Sequence, residues 1–135
     1  MSVNDIGAEW LIDATGCSAE ALRDSPLLLG LCRQIISELD LHALGEPFLH
    51  EFPPPGGITA LFLLTESHLT CHTYPEFGAA AFNLYCCRPR PEWPWHARLE
   101  QAFGAASVTV RRVIRGTGNA ADAESAQAGE GGMRR

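Results

Sequence analysis

One amphipathic helix constrains the fold of this chain more than any other feature. The pair Ser25-Pro26 places an N-cap residue before a proline at the first helical position, which is a common way for a helix to begin. Gly45 is expected to end the helix. A stripe of apolar residues along one side has to pack against another layer of structure. The apolar residues recur in steps of three and four, at Leu28, Leu31, Cys32, Ile35, Ile36 and Leu39.

Strand patterns fill most of the remaining sequence. Residues 58–66 (ITALFLLTE) form a nearly continuous apolar run and predict a central strand. A short helical turn after Ser18 and a second helix between Pro94 and Gly104 complete the elements. This order predicts an α+β fold, a two-layer sandwich in which a mostly antiparallel sheet carries the helices on one face. The other predicted strands are 9–14, 69–74, 79–87 and 107–115.

Composition and charge exclude several functional classes. The 135 residues include 10 Lys and Arg against 16 Asp and Glu, for a net charge of −6. A protein that binds duplex nucleic acid is usually basic, so we expect no nucleic-acid partner. No segment approaches the roughly 20 apolar residues of a membrane span, and the first residues lack the pattern of a signal peptide. We therefore expect a cytoplasmic protein with no membrane partner.

The cysteines and histidines do not predict a metal site. Five cysteines are present, and no pair has the CxxC spacing of a thiolate zinc site. His68 and His72 have HxxxH spacing, but their surroundings predict a strand and lack the glutamate of HExxH. We expect no metal ion. On the predicted strand 79–87, Cys87 falls on a polar face and Cys86 on an apolar face, which favours Cys87 as the reactive thiol.

The end of the chain differs in composition from the rest. Residues 117–135 are mainly glycine, alanine and charged residues, and they contain no aromatic residue. Such a segment cannot bury enough apolar surface to fold. The remaining length suits one ordinary domain. We therefore expect one folded domain over residues 1–116 and a disordered tail over residues 117–135.

The segment 57–87 carries an ordered set of motifs. ESH occupies residues 66–68, HTYPE occupies residues 72–76, and Cys87 lies 20 residues after Ser67. The set resembles the core of the prokaryotic pyruvoyl-dependent S-adenosylmethionine decarboxylase proenzymes. In that family Glu-Ser-His, His-Thr-Trp-Pro-Glu and a strand ending in Cys follow one another in this order. The resemblance extends over the predicted domain, because the other strands and helices also occur in family order.

The resemblance implies a proenzyme that cleaves itself between Glu66 and Ser67 into residues 1–66 and 67–135. It implies that Ser67 becomes a covalent pyruvoyl group, which forms a Schiff base with the substrate amine and accepts the electrons left by decarboxylation. The reaction implied is decarboxylation of S-adenosylmethionine to the aminopropyl donor for spermidine biosynthesis. A homodimer of cleaved protomers, with sites near the interface, is implied as well.

Five further positions match site residues of that family. His72 corresponds to the acid or base of self-cleavage, and Cys87 corresponds to the proton donor to the α-carbon of the substrate. Phe52 matches an aromatic residue that suits the sulfonium and adenine, and Glu76 matches a carboxylate that suits the ribose hydroxyls. Thr59 keeps a hydroxyl at a serine position of the family. The resemblance thus implies that Phe52, Thr59 and Glu76 bind the substrate.

Three departures from the family pattern affect the region around the substrate. The loop between Phe52 and Gly57 is one residue longer than usual, and Pro53 stands at the aromatic position if no insertion is allowed. Tyr74 replaces the usual Trp, and Asn83 stands where Asp is common. A changed substrate would require such changes, so a pyruvoyl-dependent decarboxylase of arginine or ornithine is the alternative. A non-cleaving relative that only binds or regulates a partner is a second alternative.

Overall fold

Six strands form one antiparallel sheet. The structure is a computed structural model that describes residues 5–116, so the predicted tail 117–135 lies outside the described residues. The strands are β1 Asp5–Thr15, β2 Phe48–Glu51, β3 Ile58–Leu64, β4 Ser67–Tyr74, β5 Ala79–Cys86 and β6 Ser107–Gly116. Their order across the sheet is β2-β3-β4-β5-β1-β6, and every neighbouring pair is antiparallel.

Three helices cover one face of this sheet. Their buried side chains join those of one sheet face in a single apolar core, in which Ile35, Phe62 and Leu99 are almost fully buried. Complete burial of such a side chain contributes about 1.5–3 kcal/mol. The predicted two-layer α+β sandwich is confirmed. The helices are α1 Ala19–Leu22, α2 Ser25–Glu38 and α3 Trp95–Phe103, and a 3-10 helix at Pro75–Phe77 joins β4 to β5.

The face of the sheet opposite the helices, called the outer face below, is not covered within the described chain. The interior strand predicted over 58–66 is present as β3, paired with β2 and β4, but it ends at Leu64. Only its alternate residues are buried, although nearly all of them are apolar. Leu61 and Leu63 point to the outer face and are 37% and 56% exposed. The outer face includes Phe48, His50, Thr59, Leu61, Leu63, His68, Thr70, His72, Tyr74, Asn83 and Tyr85.

The helix α2 ends at Glu38, well before the predicted end at Gly45. Asp40 adopts a left-handed conformation with φ 56°, and the N–H of Leu41 donates to the carbonyl of Ile36 over 2.8 Å. This arrangement is a Schellman motif, which satisfies the last carbonyls of a helix and stops it. The 14-residue α2 is the longest helix, and no helix within residues 5–116 is long and apolar enough to cross a membrane.

The N-cap of α2 is Asp24, one residue before the predicted Ser25. Oδ1 of Asp24 accepts a hydrogen bond from the N–H of Leu27 at 3.1 Å, and Pro26 lies in the first helical turn. The hydroxyl of Ser25 donates instead to the carboxylate of Glu51 on β2. The side chain of Ser25 therefore ties the helix to the edge of the sheet and leaves the cap to the aspartate, which is an equally good N-cap residue.

Candidate active site

The strand β4 carries predicted catalytic residues at both of its ends. Thr59 on β3 lies opposite His72, and Cys86 on β5 lies opposite Ser67. Because a strand rises about 3.3 Å per residue, the five steps from Ser67 to His72 span about 16 Å. We call residues 66–68 the serine end of β4 and residues 72–74 the histidine end.

At the histidine end, the imidazole of His72 is oriented by two neighbours. Oγ1 of Thr59 lies 3.0 Å from Nδ1 of His72. The ring of Tyr74 stacks against that of His72, with 6.4 Å between the ring centroids. A hydrogen bond to one ring nitrogen fixes the orientation of an imidazole and leaves the other nitrogen for a substrate. The exposed His72 is therefore placed for acid–base chemistry at the surface of the sheet.

A cavity of about 450 Å³ opens beside His72. It brings together four residues that the sequence predicted for the site, namely Phe52, Thr59, His72 and Glu76. Its volume lies in the range of small-molecule binding sites. The full lining is Phe52, Pro53, Pro55, Gly56, Thr59, His72, Thr73, Tyr74 and Glu76.

The proline-rich loop at the mouth of this cavity is tied to β4 by Thr73, a residue that the sequence analysis did not identify. Oγ1 of Thr73 accepts from the N–H of Ile58 at 2.9 Å and donates to the carbonyl of Leu22 at 2.8 Å. Gly57 has φ 117°, and a Cβ there would lie 2.9 Å from the carbonyl oxygen of Thr73. Only glycine fits this approach. The loop that holds Phe52 is therefore anchored at its end.

The serine end contains the peptide bond at which the resemblance implies cleavage. Ser67 follows the turn between β3 and β4 and has φ 149°, a conformation rare for residues other than glycine. Its Oγ lies 3.3 Å from Nδ1 of His68. The ring of His68 lies near that of Tyr85, with 6.1 Å between the centroids. Sequence reasoning treated His68 only as a possible metal ligand, although its adjacency to Ser67 was a usable signal.

Glu66 is held by an ion pair that no sequence pattern indicated. Oε2 of Glu66 lies 2.6 Å from Nη2 of Arg90, and both side chains are largely buried. The N–H of Arg88 approaches Oε1 of Glu66 at 3.4 Å. The residue on the amino side of the predicted cleavage point is thus fixed by its side chain.

The two adjacent cysteines have opposite environments, as the strand pattern predicted. Cys86 is completely buried on the helix side of the sheet, and desolvation raises its pKa to about 11. Cys87 lies just beyond the end of β5 and is exposed. Cys86 pairs with Ser67 across the two strands. Cys87, the next residue along the chain, therefore lies close to the serine end. Cys87 is the accessible thiol, whereas Cys86 stays protonated near neutral pH.

Asn83 lies on the outer face of β5 between the two ends. Its Nδ2 donates to Oε2 of Glu9 at 2.7 Å, and this hydrogen bond is the main cause of a lowered pKa of Glu9. An aspartate at this position would repel the Glu9 carboxylate instead. The departure from the family pattern at Asn83 therefore accompanies a hydrogen-bonded pair. Within residues 5–116, no group of three or more His, Cys, Asp or Glu side chains is arranged to hold a metal ion.

Comparisons with known proteins point to one family. The sequence model of S-adenosylmethionine decarboxylase matches residues 8–116. Two similar proteins are the S-adenosylmethionine decarboxylase proenzymes of Clostridium kluyveri (32% identical over 119 residues) and Moorella thermoacetica (34% over 116 residues). These alignments cover 84% and 82% of this chain and 90% and 88% of the relatives.

The fold is similar to that of a solved structure. The crystal structure of the adenosylmethionine decarboxylase from Aquifex aeolicus VF5 superposes with a TM-score of 0.71 at 21% sequence identity, covering 87% of this chain and 97% of that one. Since the family match spans nearly all of the described residues and includes both ends of β4, this chain belongs to the S-adenosylmethionine decarboxylase family.

Proposed function

We propose that this protein is a self-processing decarboxylase that converts S-adenosylmethionine to the aminopropyl donor used in spermidine biosynthesis. The observation that carries the proposal is the serine end of β4. Ser67 directly follows Glu66 with φ 149°, and its hydroxyl lies near an imidazole. A conformation of this kind costs of order 1–3 kcal/mol and persists only where the surrounding structure imposes it. A strained serine at the family's cleavage position supports self-cleavage there.

Self-cleavage converts Ser67 into the pyruvoyl group in three steps. Oγ of Ser67 adds to the carbonyl carbon of Glu66, its proton moves to the nitrogen, and the C–N bond breaks to leave an ester. Loss of the α-proton of Ser67 then breaks the ester Cβ–O bond. The main-chain carboxylate of Glu66 leaves as the new C-terminus, and Ser67 becomes dehydroalanine. The dehydroalanine tautomerises to an imine, which one water hydrolyses with release of one ammonia. The chain 67–135 then begins with the ketone of the pyruvoyl group. The hydroxyl of Ser67 and its position after the turn thus fit formation of the pyruvoyl group that the family uses.

Two imidazoles are candidates for the proton transfers of self-cleavage. His68 lies 3.3 Å from Oγ of Ser67 in the same chain. His72, to which the family pattern assigns the role, lies about 16 Å away along β4. A histidine at that distance acts on Ser67 only if a second copy of the chain supplies it.

We therefore include a homodimer in the proposal. Phe48, Leu61 and Leu63 on the outer face are 75%, 37% and 56% exposed, and an apolar patch of this kind is typical of an interface. If two outer faces meet around a two-fold axis with antiparallel β4 strands, the serine end of one copy lies beside the histidine end of its partner. Each dimer then holds two complete sites.

Decarboxylation needs an electron acceptor and a proton donor. The pyruvoyl group supplies a carbonyl that accepts the electrons left when CO2 departs. Cys87 supplies the proton, because its thiol is exposed next to the residue that faces Ser67. Cys86 is unsuited to this role, since its thiol is completely buried in the apolar core.

The cavity at the histidine end supports S-adenosylmethionine as the substrate. Phe52 and Tyr74 offer aromatic faces to the adenine ring and to the sulfonium, which interacts favourably with π systems. Glu76 offers a carboxylate to the ribose hydroxyls. Arginine or ornithine would leave much of a cavity of about 450 Å³ empty. The lining therefore favours the larger nucleoside substrate over the basic amino acids.

An intact mass spectrum of the denatured protein tests the proposal first. We expect two chains, 1–66 and 67–135, whose summed mass exceeds that of the precursor by one water less one ammonia. A single chain that never cleaves would contradict self-processing and favour a binding or regulatory relative. Release of labelled CO2 is then measured from carboxyl-labelled S-adenosylmethionine, arginine and ornithine in parallel. Cleaved protein that acts only on arginine or ornithine would overturn the substrate.

A further inference from the structure

The ion pair between Glu66 and Arg90 differs from the others in the described part of the chain. The exposed fractions of the Arg90 and Glu66 side chains are 14% and 11%, whereas every other ion pair there has at least one partner with 46% or more exposed. Burial of an ion pair costs desolvation energy that its attraction often fails to repay. Such a pair is therefore weak as a source of stability, and its place beside the predicted cleavage point indicates another use.

Arg90 is itself fixed to the end of α2. Its Nε donates to the carbonyl of Leu39 at 2.8 Å, and its Nη2 approaches the carbonyl of Asp40 at 3.4 Å. The carbonyls at the C-terminus of a helix carry partial negative charge and attract a cation. The guanidinium thus connects the rigid end of α2 to the carboxylate of Glu66 across the turn between β3 and β4.

The peptide after Glu66 is held from its other side by the sheet. Ser67 pairs with Cys86 on β5, and φ at Ser67 is 149°. A strained backbone relaxes unless both of its flanks are restrained. The β-pairing restrains Ser67, and the ion pair restrains Glu66.

We propose that Arg90 is a positioning residue for self-cleavage. By holding the side chain of Glu66, it keeps the Glu66–Ser67 peptide in the strained conformation from which Oγ of Ser67 reaches the carbonyl carbon of Glu66. Arg90 neither gains nor loses a proton, and the bond changes are those of self-cleavage itself. This inference rests on the self-cleavage proposed above.

The test measures the rate at which newly synthesised precursor disappears. Wild-type, Arg90→Ala and Glu66→Gln precursors are made by cell-free translation, and intact chain is followed on denaturing gels. We expect both variants to cleave at least about tenfold more slowly, because small displacements of reacting groups have effects of this size or larger. Methylguanidinium in the buffer should restore part of the rate of Arg90→Ala and leave Glu66→Gln unchanged. Arg90→Lys keeps the positive charge but lacks the forked donors of a guanidinium, so its cleavage rate should lie between those of wild type and Arg90→Ala.

Arg98→Ala is the matched control. Arg98 also forms an ion pair, 2.7 Å from Glu38, and stacks over Trp93, but it does not contact the serine end. Thermal unfolding of cleavage-blocked versions, carrying Ser67→Ala, ranks the loss of stability in each variant. The inference is overturned if Glu66→Gln and Arg90→Ala cleave at the wild-type rate. It is also overturned if Arg98→Ala slows cleavage as much as Arg90→Ala does while the two variants have the same melting temperature. If wild-type precursor does not cleave, the failure belongs to the proposed function instead.

Discussion

The two ends of β4 are built in different ways. The serine end is half-buried, strained at Ser67 and held through Glu66 by an ion pair to Arg90. The histidine end is open, with His72 hydrogen-bonded to Thr59 beside a cavity of about 450 Å³. The serine end is restrained by the chain itself, whereas the histidine end has a cavity in which a ligand can bind.

This difference indicates a division of work along one strand. Strain at a peptide bond is useful for breaking that bond, whereas an open cavity is useful for binding a substrate. The rise of a strand keeps the two ends about 16 Å apart in one chain, so Ser67 and His72 of the same chain do not contact each other. Five experiments test whether the two ends have separate functions and whether two copies combine them.

Ser67→Ala should have the largest effect. It removes the hydroxyl that attacks the Glu66 carbonyl, so we expect one uncleaved chain and no measurable decarboxylation. Intact mass and CO2 release measure the two losses. Ser37→Ala, at an exposed serine of α2, is the control and should cleave normally. An active Ser67→Ala protein would show that the serine end is not the source of the electron acceptor.

Cys87→Ala should separate cleavage from decarboxylation. We expect normal cleavage but decarboxylation slower by about 100-fold, the usual contribution of a positioned proton donor. Cys86→Ala should retain the chemistry and lose stability instead, because Cys86 is fully buried. Turnover and thermal unfolding distinguish the two. Mass mapping of the wild-type protein after brief alkylation should find Cys87 modified before Cys86, whose pKa is raised to about 11 by burial.

His72→Ala and His68→Ala compare the two imidazoles directly. We expect precursor cleavage to slow by about 100-fold in His72→Ala and by less than about fivefold in His68→Ala. The rates come from disappearance of intact precursor on denaturing gels. The opposite ranking would assign the proton transfers to the imidazole 3.3 Å from Oγ of Ser67 and would remove the need for a partner at this step.

Co-expression of the Ser67→Ala and His72→Ala chains tests the shared site. If the ends combine across a two-fold dimer, half of the dimers are mixed and each has one intact site, so activity should return to roughly a quarter of wild type. Each variant expressed alone provides the baseline. If both ends of one chain form the site, the mixture will stay at that baseline, since no chain carries both residues.

Thr73→Val should have the smallest effect and should act on the histidine end. Loss of Oγ1 leaves the N–H of Ile58 and the carbonyl of Leu22 without their buried partner, which lowers the free energy of unfolding by about 1–3 kcal/mol. Urea unfolding of the cleavage-blocked chain measures this loss. Thr109→Val, at an exposed position of β6, is the matched control. Equal stability of the two variants would mean that Thr73 does not anchor the loop.

Much of the fold could be predicted because its signals are local. Alternation along β5 separated Cys86 from Cys87, and the apolar spacing of α2 located its buried side. The end of α2 was predicted wrongly because Asp40, an aspartate in the left-handed conformation, stops the helix before Gly45. A Schellman motif depends on one backbone angle, which residue spacing does not report.

Local sequence patterns also failed to predict some contacts in the site. The order of the motifs predicted Ser67, His72 and Cys87, but the ion pair of Glu66 joins residues 24 positions apart and leaves no trace in local periodicity. Thr73 was missed for a similar reason, since its partner Leu22 lies 51 residues away. Contacts of this kind depend on how helices and strands meet.

From the sequence alone we could predict which residues would carry the chemistry. We could also predict which side of its strand each one occupies, because a period of two is a property of the strand alone. Tertiary structure decided the distances between them. Strand pairing put Thr59 against His72, and the proline-rich loop brought Phe52 to the same cavity. The extended backbone of β4 keeps Ser67 about 16 Å away from His72. These distances follow from the register of the sheet and the packing of α2, which no single segment of the chain contains.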